Sequence, residues 1–202
     1  MDGARFAGGK SPTPPRNFAV VERNDIDKLD RATAAGGIAA VVMEPVLCKQ
    51  RLHCPAAGLS WAGQPALRAA RHPFLFFDEV ITGFRLSLGG AQDYYGFVPD
   101  LATFGKAGGG GAPLSGIAGR AKILMQMYDG VTFGGSFNGN SAFLASANAT
   151  LTELARDNGA ALVHEHRMGQ RLIDGIPRMA RIPVVAWRTS QGIEACIMIR
   201  KG

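Results

Sequence analysis

Two hydrophobic rhythms alternate along this chain. Short, nearly continuous apolar runs occupy residues 38–43, 74–77 and 101–104, each bounded by glycine, proline or acidic residues. Such runs predict strands buried on both faces. Weaker runs at 17–22 and 116–118 predict shorter strands. Helical spacing predicts helices over 25–35, 61–71, 89–95, 120–127 and 141–156. The first is capped by Asn24 or Asp25 and stopped by Gly36 and Gly37. In the 61–71 helix, Leu67 and Ala70 face inward. Asn158 or Gly159 breaks the long helix, and an amphipathic helix follows to about Met179, with Leu162, Met168, Leu172, Ile173 and Ile176 as its stripe. Two strand-like runs, 183–187 and 193–199, close the chain.

Alternating strands and helices predict an α/β layered fold with a mostly parallel sheet. Residues 38–77 contain strand, loop, helix and strand, a βαβ unit with a right-handed crossover. The last helix and strands have a different rhythm. They predict three regions: a flexible leader at 1–17, rich in glycine and proline, a main domain at 18–157, and the start of a smaller α+β domain at 158–202.

Composition narrows the class. Of 202 residues, 47% are apolar and 19% charged, which describes a globular chain with a real core. No apolar run is long enough to cross a membrane, and residues 1–9 lack the apolar segment of a secretory signal. The three cysteines, Cys48, Cys54 and Cys196, show no disulfide framework, so a reducing cytoplasm fits best. The net charge is +6, but the arginines are scattered. There is no basic run, zinc-finger spacing or aromatic RNA-binding motif, which argues against nucleic acid.

Three local motifs bear on chemistry. Gly9-Lys10-Ser11 ends like a phosphate-binding loop, but position 4 is Ala4 and no strand has room to precede it. Cys48, His53 and Cys54 offer three metal ligands without a fourth, and a surface loop is the preferred assignment. The third motif is the stretch 74–111. Its strand ends on Asp78 and Glu79, and Phe104-Gly105-Lys106 leads into Ala107 and four glycines. In an open parallel sheet, strand ends face a ligand crevice. An apolar strand ending in Asp-Glu also serves ATPases, but those require the missing phosphate loop. Taken singly, Asp78 could cap a helix and Lys106 could be a solvated surface lysine. Together they supply what pyridoxal phosphate requires: a lysine for its aldehyde and a carboxylate for its ring nitrogen. The lysine amine, once free, can carry the proton at the substrate alpha carbon.

At these residues the chain resembles the class III, fold-type I pyridoxal phosphate aminotransferases, and within them the glutamate-1-semialdehyde 2,1-aminomutase branch. The resemblance lies in Phe77-Asp78-Glu79-Val80-Ile81-Thr82-Gly83-Phe84-Arg85, in Leu88-Gly89-Gly90-Ala91-Gln92-Asp93-Tyr94-Tyr95-Gly96, and in Pro99-Asp100-Leu101-Ala102-Thr103-Phe104-Gly105-Lys106. Glu44-Pro45-Val46 and Gly135-Ser136-Phe137-Asn138-Gly139-Asn140 extend it, so that it spans about residues 37 to 156. It implies the three-layer large domain of that fold. It implies pyridoxal 5'-phosphate as cofactor, amino-group transfer between small molecules, and a homodimer. It also implies four roles. Lys106 would hold the cofactor as a Schiff base, and Asp78 would pair with the pyridinium nitrogen. Val80 would pack on the ring, and Ser136 would replace the family threonine that binds the cofactor phosphate across the dimer interface. Arg85 lies near the strand that would carry a substrate-binding arginine. Thr82-Gly83-Phe84-Arg85 and Gly89-Gly90-Ala91-Gln92 favour the aminomutase branch.

The chain departs from the family at both ends and at Ser141, which replaces a usual proline. Residues 1–37 contain neither the helix start that holds the cofactor phosphate nor the aromatic residue that stacks on its ring. The carboxyl-terminal domain stops at Gly202. The expectation is a truncated chain with exposed sheet edges and marginal stability. A non-catalytic family member, or a dimerising fragment of one, is the alternative.

Overall fold

The computed structural model describes residues 19–22, 25–46, 73–128, 134–179, 184–186 and 197–199. Four strands form the main sheet in the order β1-β2-β3-β4: β1 (Ala40–Met43), β2 (Phe74–Asp78), β3 (Leu101–Phe104) and β4 (Gly116–Gly119). The first three run parallel and β4 is antiparallel to β3. Helix α1 (Ile26–Ala34) precedes β1, and Asp25 caps it by accepting the Lys28 N–H at 2.9 Å. A five-residue helix, α2 (Gly90–Tyr94), separates β2 from β3. Helix α3 (Ala121–Leu124) follows β4 and passes into a 3-10 turn. Two longer helices come next, α4 (Ser141–Ala155) and α5 (Ala160–Met179). Finally β5 (Val184–Ala186) and β6 (Ile197–Ile199) pair antiparallel.

The register sorts side chains onto two faces, because neighbours in register point the same way. Val41, Leu75 and Ala102 share one face with Met43 and Phe77. There Leu75, Phe77, Phe97 and Ala102 form the core, with Leu29, Tyr95 and Phe104 packed against it. Phe77 and Phe97 meet at 6.2 Å between ring centres. Each full burial of such a side chain contributes about 1.5–3 kcal/mol.

The opposite face corrects the expectation of strands buried on both sides. Along β2 exposure alternates, and Phe74 is 48% exposed, while Val42, the β1 partner of Phe76, is 67% exposed. The physical reason is coverage: Leu29, Tyr95 and Phe97 all lie on the Leu75/Phe77 side. A continuous apolar run is compatible with burial but cannot enforce it. Other corrections are smaller. Residues 19–22 are not a strand. In α5, Leu162 is buried but Leu172 is 53% exposed. The predicted 61–71 helix, the leader and the Cys48/His53/Cys54 loop lie outside the described residues.

One polar knot holds the parallel strands at their amino ends. Asp100, 3% exposed, accepts the Leu75 N–H at 2.8 Å and faces Arg120 Nε at 3.0 Å. Its own N–H donates to the Leu75 carbonyl at 2.9 Å, and its carbonyl accepts from Arg120 at 3.0 Å. Among the described residues, no helix is long and apolar enough to cross a membrane.

Candidate active site

The acidic pair at the end of β2 divides between two jobs. Consecutive strand residues point to opposite faces, and here the carboxylates part company. Glu79 turns inward and is fully buried. Its Oε2 accepts the Ala91 N–H at 2.5 Å and the Thr82 hydroxyl at 3.1 Å. Its Oε1 accepts from Gln92 Nε2 at 3.2 Å and from Gln92 N at 3.3 Å. Glu79 therefore stitches the start of α2 back to the strand end. Gly90 makes this approach possible. It has φ +74°, and a Cβ there would run into the Glu79 carboxylate.

Asp78 remains half-buried at the carboxyl end of the sheet. Its Oδ1 accepts the Val80 N–H at 3.1 Å and lies 3.4 Å from the Thr103 hydroxyl, which donates to it. Thr103 is its register partner on β3. Oδ2 has no hydrogen-bond partner among the described residues. One oxygen thus orients the carboxylate and the other is available as an acceptor, which fits a protonated ring nitrogen.

Lys106 follows the same β3 end by two residues and opens a 3-10 turn, Lys106–Gly109. It is exposed, and it makes no ion pair among the described residues. Its φ is +43°, a left-handed conformation that is uncommon outside glycine. Val80 links the two strand ends: its Cγ1 would lie 3.6 Å from a Cβ on Gly105, the residue before the lysine. Acid, valine and lysine turn therefore converge at the carboxyl ends of adjacent parallel strands. This set, a lysine with no ion pair among the described residues and an oriented carboxylate beside an apolar side chain, fits pyridoxal phosphate.

Ser136 does not join them. It is exposed on the turn 136–139 ahead of α4, with no hydrogen bond to Asp78 or Lys106. Phe137 beside it is 74% exposed. Arg85 has a structural partner, Glu165 of α5, and its carbonyl lies 2.8 Å from His166 Nε2. A cleft of about 420 Å³ opens at the other end of β3, between Val98, Leu101 and Arg120, and none of the four predicted residues lines it.

The segments favouring the aminomutase branch turn out to face the fold. The Thr82 hydroxyl serves Glu79, and a Cβ on Gly83 would press against the Phe104 ring at 2.6 Å. Sequence inspection missed these partners, and also missed Thr103 and Ser146. Thr103 left no signal, since it meets Asp78 only through the β2–β3 register. Ser146 had none, because it reaches the lysine turn from 36 residues away.

Residues 16–186 match the family model described as aminotransferase class-III. A glutamate-1-semialdehyde 2,1-aminomutase of Rhodopirellula baltica is 37% identical over 182 residues, covering 88% of this chain and 41% of that protein. The chain thus spans well under half the length of the curated relatives it matches. Among solved structures, an omega-transaminase from Sphaerobacter thermophilus superposes with a TM-score of 0.73 and 27% identity, covering 89% of this chain and 42% of that one. A glutamate-1-semialdehyde-aminomutase from Pseudomonas aeruginosa, a lysine-to-alanine variant in complex with PMP, superposes with a TM-score of 0.70 at 27% identity over 89% of this chain and 42% of that one. With the partial fold-type I sheet, these matches establish that the chain belongs to the class III aminotransferase family, whose cofactor is pyridoxal 5'-phosphate.

Proposed function

We propose that this chain carries the cofactor end of a pyridoxal phosphate site for amino-group transfer, with Lys106 as its Schiff-base lysine. The observation that carries this is the placement of Asp78 and Lys106 at the carboxyl ends of neighbouring parallel strands, with Asp78 aimed by Thr103. When bound, the cofactor supplies an electron sink for the substrate alpha carbon. Lys106 holds the cofactor aldehyde, and its amine, when released, moves the proton at that carbon. Asp78 would accept the ring N–H and keep the ring protonated. Val80 packs beside it.

Ser136 is proposed to serve the phosphate of a site on a second copy of the chain. Its exposure, without a hydrogen bond to Asp78 or Lys106, supports a role across a homodimer. The substrates are a small amino donor and acceptor. Glutamate-1-semialdehyde is the first to test, since similar proteins bear the aminomutase name.

The test is to incubate the full chain with pyridoxal phosphate, follow the visible band of a lysine-bound cofactor, reduce with borohydride and map the modified lysine. Modification at Lys106, abolished in Lys106→Ala, is expected. A band that survives Lys106→Ala refutes the assignment. Attachment without turnover of any amino donor or of the semialdehyde selects the alternative, a non-catalytic family member.

A further inference from the structure

We propose that Ser146 of α4 is a positioning residue for Lys106: its hydroxyl holds the glycine turn that sets the lysine's direction. The proposal rests on the Lys106 assignment above. The Ser146 hydroxyl lies 3.1 Å from the Gly109 carbonyl and 3.2 Å from the Gly110 carbonyl, and it is the donor to both. These carbonyls belong to the end of the turn that Lys106 opens. Gly110 has φ +60°, and a Cβ there would meet Ser146 Oγ at 3.0 Å and collide with Thr150 Oγ1. Ser146 and Thr150 are four residues apart, so they share one face of α4. That helix is itself pinned at its start, where Asn140 accepts the Ala142 and Phe143 N–H groups at 3.0 and 3.2 Å.

The other side of the turn is held from the Asp78 loop. A Cβ on Gly108 would lie 2.9 Å from the Phe84 ring, which also packs on Phe104 at 5.4 Å between centres. Both Phe84 and Lys106 have positive φ, at +60° and +43°. Left-handed backbone at such residues persists only where the surroundings over-determine it. Here the turn's own bonds are few: Gly108 N–H to Gly105 O at 3.0 Å, Gly110 N–H to Ala107 O at 3.2 Å, and Ala112 N–H to Gly109 O at 3.1 Å. Ser146 adds a tether from a separate, rigid element. Without it the turn can relax toward right-handed backbone, which changes the direction in which the Lys106 side chain leaves the turn.

The experiment compares the full chain with Ser146→Ala and Ser146→Thr. Alanine is a better helix former than serine, so α4 is retained. The first readout needs no cofactor: amide hydrogen exchange at Gly108, Gly110 and Ala112. Loss of one hydroxyl bond predicts about fivefold faster exchange there, unchanged exchange in β2 and β3, and restoration by Ser146→Thr. The second readout is the rate of borohydride-trapped pyridoxal phosphate labelling at Lys106, expected to fall about fivefold in Ser146→Ala while labelling of other lysines holds and the melting temperature falls by no more than about 2–4 °C. Unchanged exchange in Ser146→Ala overturns the proposal, as does a labelling loss shared by all lysines. Faster exchange with no labelling of Lys106 in the wild-type chain overturns it through the lysine assignment.

Discussion

Glu79 offers the sharpest test of how the site is built. Its carboxylate is fully buried and receives four donors, two on each oxygen. Glu79→Ala removes all four bonds. Gln92 is half-buried, so water can replace its two long bonds. The Thr82 hydroxyl can rotate. The Ala91 N–H has no substitute, and an unsatisfied buried donor costs about 1–3 kcal/mol. The side chain also leaves a void that adds about 1–2 kcal/mol. The loop cannot close over that void, because Gly90 is already held in left-handed backbone against the carboxylate. The sum is about 2–5 kcal/mol, and its centre, about 3.5 kcal/mol, corresponds to about 7–14 °C in melting temperature for a chain of this size. Glu79→Gln keeps the shape and one acceptor oxygen. Its amide nitrogen must face one of the donor pairs, and the Gln92 pair can adapt by turning its own amide, so the expected loss is about 1–2 kcal/mol. Urea unfolding at neutral pH measures both variants. If Glu79→Ala stays within about 0.5 kcal/mol of the parent, the usual range for an uninvolved surface position, the stitching role is wrong.

Two further outcomes follow from single contacts. Gly110→Ala combines a left-handed φ with a collision against Thr150, for an expected loss of about 3 kcal/mol. Adding Thr150→Ala should recover the steric part and leave the backbone part, and unfolding midpoints of the single and double variants measure the split. The Arg85–Glu165 pair is about one-third exposed on both sides, so a double-mutant cycle should give no more than about 1 kcal/mol, weakening with salt. A coupling above about 2 kcal/mol would make this pair an unexpected structural anchor.

Element type was legible wherever local chemistry chooses it. Asp25 capped α1 as expected, β3 fell on 101–104, and the break near Asn158 and Gly159 coincides with positive φ at Asp157, Asn158 and Gly159. Burial was less legible. The runs Phe74-Leu75-Phe76-Phe77 and Ala40-Val41-Val42-Met43 look equally buried along their length, yet in β2 only Leu75 and Phe77 are buried, and in β1 Val41 and Met43 are partly covered while Ala40 and Val42 are exposed. The difference is set by what packs above each face, and a strand's own sequence does not contain its cover. The site divides in the same way. Asp78 and Lys106 could be named from order and spacing, since both sit at strand ends in a parallel α/β pattern. The roles of Glu79, Arg85 and Ser146 could not.

The sequence by itself determined the family, the cofactor chemistry and the strand ends from which Asp78 and Lys106 emerge, because those depend on residue identity at short range. Only the tertiary structure showed that Glu79 is spent inside the fold, and which distant side chains hold the lysine turn. Thr103 aims Asp78 from a register set by strand pairing, and Ser146 grips Gly109 and Gly110 from a helix 36 residues onward. Such contacts depend on how separate elements pack, and local periodicity carries no record of that.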